Sequence, residues 1–167
     1  MAEDENVAAG GEPLSNGEDT APAMGLLSQY VKDLSFENPN APAIYSSQIA
    51  PQLDVQIGLQ SAQVGEEVFE VVLKIDARAQ METQTAWVLD LSYAGLFGIR
   101  NVPPEQIEPF LLIQAPTLIF PFARRILADA LRDGGFPPFL LEPIDFHGLY
   151  VQNRMNADAQ GAEAGQA

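Results

Sequence analysis

The chain has 167 residues, no cysteine and a formal net charge of −15 at pH 7. That length suits one domain with a real core, and the missing thiols exclude disulfides, iron–sulfur clusters and thiolate zinc sites. An acidic surface disfavours nucleic acid and anionic membranes, which bind through Lys and Arg, and suits basic protein partners.

Residues 1–23 hold Glu3, Asp4, Glu5, Glu12, Glu18 and Asp19 with no base and no aromatic, so a disordered acidic tail is expected there. Their acidity is unlike a secretory signal, which needs a basic start and an apolar centre, and a cytoplasmic location is the expectation. Met24 to Glu37 fits either a helical stripe (Leu26, Leu27, Tyr30, Val31, Leu34) or a strand face (Tyr30, Leu34, Phe36). The following Asn38-Pro39-Asn40-Ala41-Pro42 forces extended geometry and favours the strand. Leu53, Val55, Ile57 and Leu59 alternate strictly, the mark of a second strand that runs on to Gln63 before a turn at Gly65-Glu66-Glu67.

Two longer strands follow. Phe69, Val71, Leu73, Ile75, Ala77, Ala79 and Met81 share one face; after a break at Glu82-Thr83-Gln84, Trp87, Leu89, Leu91 and Tyr93 do the same. Side chains alternate across a strand, so this pattern predicts an antiparallel hairpin with one wholly apolar face. From Pro103 the period becomes helical. Pro103-Pro104-Glu105 suits a first turn, Pro116 is expected to break or kink the helix, and Leu118, Ile119, Phe122, Ala123, Ile126, Leu127, Ala130 and Leu131 continue a stripe that Gly134-Gly135 ends. Pro121 suggests that this helix starts near Ile119. Phe136 to Pro143 is extended and apolar, Asp145 caps a short last helix, and residues 156–167 form a second disordered tail. Strands before helices predict an α+β domain over residues 24–155. No apolar stretch runs unbroken for the ~20 residues of a membrane span.

The inventory for chemistry is thin. His147 is the only histidine, so Ser-His-Asp and Cys-His catalysis and His-based metal sites find no support. Asp54, Glu70, Asp76 and Asp90 lie on strand faces where carboxylates could pair for acid/base work, although a solvated polar face is the plainer reading. The apolar side chains outnumber what one sheet and two helices can cover. Val68, Val72, Val88 and Leu96 lie on the outer face and Phe136, Phe139, Leu140 and Leu141 in a loop, which points to subunit contacts or a ligand groove.

Several stretches together resemble the SecB protein-export chaperone family: Lys32-Asp33-Leu34-Ser35-Phe36-Glu37 running into Asn38-Pro39-Asn40-Ala41-Pro42, Glu70-Val71-Val72-Leu73-Lys74-Ile75, Leu118-Ile119-Phe120-Pro121-Phe122-Ala123-Arg124, Gly135-Phe136-Pro137-Pro138, and Pro143-Ile144-Asp145-Phe146. The likeness spans Tyr30 to Met155. It implies a four-stranded antiparallel sheet followed by a long and a short helix, in subunits that assemble as a dimer of dimers. It also implies a holdase without ATP, cofactor, metal or catalytic residue, which keeps unfolded precursor proteins from folding and passes them to the SecA motor. No nucleic acid and no direct membrane binding is expected. By position the acidic SecA-docking patch would be Asp33, Glu37 and Asp90 with Val88 beside them. The client groove would be Ile49, Val55, Ile57, Trp87, Phe97, Leu140 and Tyr150, and the tetramer seam Leu89, Leu91 and Tyr93. Ile49 stands where the family often has an aromatic, and the acidic N-terminal stretch is longer than usual. Alternatives are a SecB-like chaperone dedicated to a toxin–antitoxin system, a hot-dog-type acyl-thioester hydrolase, which normally threads its helix between early strands, and a carrier for a small apolar ligand.

Overall fold

The structure, a computed structural model, describes residues 20–164, with side chains to residue 162. Most of the tail expected over residues 1–23 lies outside the described residues, which begin three residues before the first strand. Strands β1 (Ala23–Glu37), β2 (Gln52–Gly65), β3 (Val68–Met81) and β4 (Gln84–Arg100) form one antiparallel sheet in the order β1-β4-β3-β2. The ambiguous Met24–Glu37 segment is thus a strand, at the edge of the sheet. In the β3–β4 hairpin, Leu73 faces Tyr93, Ile75 faces Leu91, Ala77 faces Leu89 and Ala79 faces Trp87, so both apolar sets project to one side. Glu82 makes the connecting turn with φ at 54°.

The helices gather on that side. α1 (Pro104–Pro109) runs through a π-helical turn (Phe110–Gln114) into α2 (Ala115–Asp133), and one helical rod spans Pro104–Asp133. Pro116 and Pro121 do not break it as expected. The carbonyl that the Pro116 ring would crowd, four residues back at Leu112, lies inside the widened π turn. The Thr117 hydroxyl donates to the Ile113 carbonyl at 2.6 Å in the same stretch. By length and composition this rod is apolar enough to cross a membrane, but it is the core helix. Ile119, Ala123, Leu127 and Leu131, one turn apart, are fully buried together with Val71, Leu73, Ile75 and Leu89 of the sheet.

Gly95 allows the close approach of helix and sheet. A Cβ there would lie 2.8 Å from the Phe97 ring and 3.1 Å from Ile119. Phe97 meets Phe110 edge-on, 5.7 Å between ring centres. At the end of α2, Gly135 takes φ of 82°, the Gly135 N–H donates to Arg132 O at 3.1 Å and the Phe136 N–H donates to Leu131 O at 3.0 Å. That pair of bonds is a Schellman stop, and it turns Phe136 back onto the sheet.

α3 (Phe146–Ala164) is not the short helix expected. It runs past Met155, where a disordered tail was expected to begin, and is helical to residue 164. Asp145 caps it through Oδ1, which accepts from the Gly148 N–H at 3.0 Å. Residues 156–162 are exposed. Ala and Gln carry that end on helix propensity alone, a contribution that periodicity of apolar residues does not register.

Candidate functional site

Two surfaces stand out, on opposite sides of the sheet. The first is an apolar cleft of about 760 Å³ at the end of α2. Its lining includes Trp87, Met81 and Leu53 from the sheet, Tyr45 from the loop between β1 and β2, and the Phe136–Phe139 segment. The walls are held by polar contacts at their rim. The Tyr45 hydroxyl donates to the Gly134 carbonyl at 2.7 Å, and Asn38 Nδ2 donates to that hydroxyl at 2.6 Å and to the same carbonyl at 3.2 Å. Tyr45 and Phe136 lie 5.4 Å apart, ring to ring. The left-handed Gly135 permits this closeness, since a Cβ would sit 3.2 Å from the Tyr45 ring.

A second hollow of about 460 Å³ opens between β2 and α3, lined by Ile57, Leu59, Leu112, Phe146, Leu149 and Tyr150 among others, with Glu108 and Arg154 in a 3.5 Å ion pair at its edge. Leu53, Val55, Ile57 and Leu59 of β2 share the helix-bearing face, so their apolar row leads from the first hollow to the second. An extended polypeptide could follow it.

Of the expected groove residues, Trp87 lines the first hollow, Ile57 and Tyr150 the second, and Val55 lies on the row between them. Leu140 and Ile49 are exposed but line neither hollow. Phe97 lines neither hollow and is fully buried, its ring against Phe110. Leu89, Leu91 and Tyr93, expected at the tetramer seam, lie beneath α2 at 0%, 1% and 6% exposure within the subunit. Tyr45, Leu53 and Met81 were missed. Leu53 and Met81 were read only as members of apolar strand faces, and nothing local marks Tyr45, which reaches the cleft through a contact 89 residues away in sequence.

The second surface is the other face of the sheet. Glu37 pairs with Val88, Ser35 with Asp90 and Asp33 with Ser92, so the four expected docking residues lie together across β1 and β4. Asp76 of β3 sits directly opposite Asp90, and Arg78 opposite Val88. Loss of hydration first, then the Asp76 carboxylate, which also shares a hydrogen bond, and then Glu37 push the Asp90 carboxyl above its ordinary range, against a smaller opposing pull from Arg78. The pairing of Asp76 with Asp90 concentrates negative charge; sequence reasoning had both residues on strand faces but not their register. Among the described residues, no three His, Cys, Asp or Glu side chains gather as a metal would require.

Comparison with known proteins gives the family. A family model described as preprotein translocase subunit SecB matches residues 17–157. A protein-export protein SecB from Sphingopyxis alaskensis is 58% identical, over 91% of each chain. Its counterpart from Rhizorhabdus wittichii is 53% identical over the full length of both. Among solved structures, a SecB-like chaperone from Mycobacterium tuberculosis, in complex with a peptide from an antitoxin, matches with a TM-score of 0.62 at 16% identity, over 72% of this chain and 90% of that one. At that identity the likeness is one of fold.

Proposed function

The chain belongs to the SecB family and is a protein-export chaperone, not an enzyme, and we propose that it holds unfolded precursors along the β2 cleft while offering its acidic face to SecA. One observation carries the reading: the apolar hollows and the Asp33–Glu37–Asp90 cluster lie on opposite faces of one sheet, so a client and a motor need not compete for space. A holdase must accept many sequences, and apolar area with few directional contacts suits that task. Burying ~1,000 Å² of client apolar surface at ~25 cal/mol/Å² gives a gross ~25 kcal/mol, most of it offset by the order imposed on the client. The acidic face suits a basic docking segment.

The site is cytoplasmic in this reading, and the working unit is a tetramer, a dimer of dimers. Its seams draw on what one subunit leaves bare: Val31 and Leu34 on the edge strand β1, and Leu118 and Phe122 on the outward side of α2, each at least 40% exposed. A chaperone dedicated to a toxin–antitoxin pair draws support only from the shared fold.

The experiment replaces Asp33, Glu37 and Asp90 together by Lys. Client binding, followed through Trp87, the single tryptophan, should persist, while binding to SecA should fall at least tenfold. Equal loss of both, or retention of both, would overturn the division of the two faces.

A further inference from the structure

The acidic face carries a further polar cluster beside the docking residues. Lys32 of β1 reaches over β4 to Glu70 of β3, its Nζ donating to Oε1 at 2.6 Å, and the Tyr30 hydroxyl donates to the other carboxylate oxygen of Glu70. The Glu70 side chain is 15% exposed, against 49% for Lys32. Lys32 first, and then Tyr30, hold the Glu70 carboxyl below its usual range, while the same contact pushes the Tyr30 hydroxyl up to about 12.

An irregularity in β1 makes this reach possible. Val31 pairs with Tyr93 and Asp33 with Ser92, so two consecutive positions of β4 oppose three of β1, and Lys32 is the extra residue. A bulged residue is released from strict alternation, and Lys32 projects to the same face as its neighbour Asp33. The face therefore holds a long, flexible cation next to the carboxylates that a basic partner would need. Freed from Glu70, that ammonium could turn to Asp33, its neighbour in β1, or to Asp90, which Arg78 already attracts weakly, and a carboxylate already paired gives little to an incoming cation. In the structure it does neither. Among the described residues Lys32 is ion-paired to Glu70, and Asp33, Glu37 and Asp90 close no ion pair.

We propose that Glu70 is a positioning residue of the acidic face: by holding Lys32 and Tyr30 across β4, it keeps the Lys32 ammonium off Asp33 and Asp90 and leaves those carboxylates open to a cationic partner. This rests on the docking role given to Asp33, Glu37 and Asp90 above. Glu70 itself, tied up by two donors, does not meet the partner.

A double-mutant cycle tests it, with the full chain, a short Lys/Arg-rich peptide as probe, and anisotropy at low salt as readout. Glu70→Gln should weaken peptide binding by about three- to tenfold, the effect of one freed charge at close range. Lys32→Gln should change it by less than about twofold, because Lys32 is already neutralised, and the double variant should return to within about twofold of the parent. Equal and opposite single effects that simply add would mean bulk charge alone, and would overturn the proposal. A double variant as weak as Glu70→Gln would also overturn it, since Glu70 would then act through β1 and not through Lys32. Melting curves check the fold; if Glu70→Gln melts early, Lys32→Gln still decides, and a gain above about threefold sinks the idea. Asp90→Lys is run in parallel. If it binds the peptide as tightly as the parent, the docking role fails; if it loses binding while the cycle adds, only the role of Glu70 fails.

Discussion

Replacing Gly134 by Ala sets two effects of opposite sign against each other. Gly134 closes α2 with φ of −76° and ψ of 0°, a conformation open to any residue. On backbone grounds alone, Ala should stabilise by about 0.4–1 kcal/mol, because the unfolded chain loses freedom. The packing says otherwise. An added Cβ would lie 2.6 Å from Phe36 Cε1, closer still to Cζ, and 3.3 Å from the Ala130 carbonyl. A ring wedged between strand and helix end cannot swing away like a lysine tip, and such overpacking costs about 1–3 kcal/mol. The net expectation is a loss of about 1–2 kcal/mol, or about 3–6 °C in Tm for a chain of this size. Melting is to be compared at one fixed protein concentration, since assembly couples to stability. The cleft should respond as well, because Tyr45 and Asn38 both bond to the Gly134 carbonyl. Phe36→Leu should restore much of the loss in the double variant. A Gly134→Ala protein as stable as the parent, or more so, would refute the seating of Phe36 against the helix end.

Two further outcomes follow from burial and charge. Phe97→Ala should cost about 3–5 kcal/mol, because it empties a fully enclosed site, whereas Leu140→Ala, 63% exposed, should stay within about 0.5 kcal/mol; denaturant midpoints with similar costs for both would contradict the separation of core from surface. Asp90 has a folded-state pKa above its unfolded one, so the stability linked to its protonation is fully present below the unfolded value and is lost as pH rises through the folded value. Asp90→Asn should therefore unfold at higher denaturant than the parent at neutral pH, with the advantage fading as pH falls through the acid range. Equal midpoints at neutral pH would remove the electrostatic account of Asp90 and Asp76.

Much of the sheet was legible because alternation is a local signal. Leu73, Ile75, Leu89 and Leu91 were read on one face, and they are buried there. The stop at Gly134-Gly135 was equally local, since it needs only a residue that accepts positive φ. Failures came where the deciding partner lay elsewhere in the chain. How much of the hairpin face the helices cover was not legible, and α2 lies over Leu89, Leu91 and Tyr93. Phe97 was placed in the groove through the family resemblance, and its full burial, with its ring edge-on to Phe110, comes from the tertiary packing.

The same division holds for the candidate site. The sequence by itself determined that the chain is acidic, lacks thiols, ends its long helix at two glycines and carries the SecB-like motifs that place Asp33, Glu37 and Asp90 on strands. Tertiary structure alone decided that Asp76 stands opposite Asp90, that Glu70 takes Lys32 across an intervening strand, and that Tyr45 reaches Gly134. The reason is range. Alternation and capping are settled by neighbours within a few residues, while strand register and the burial of a face depend on segments that meet only when the chain has folded.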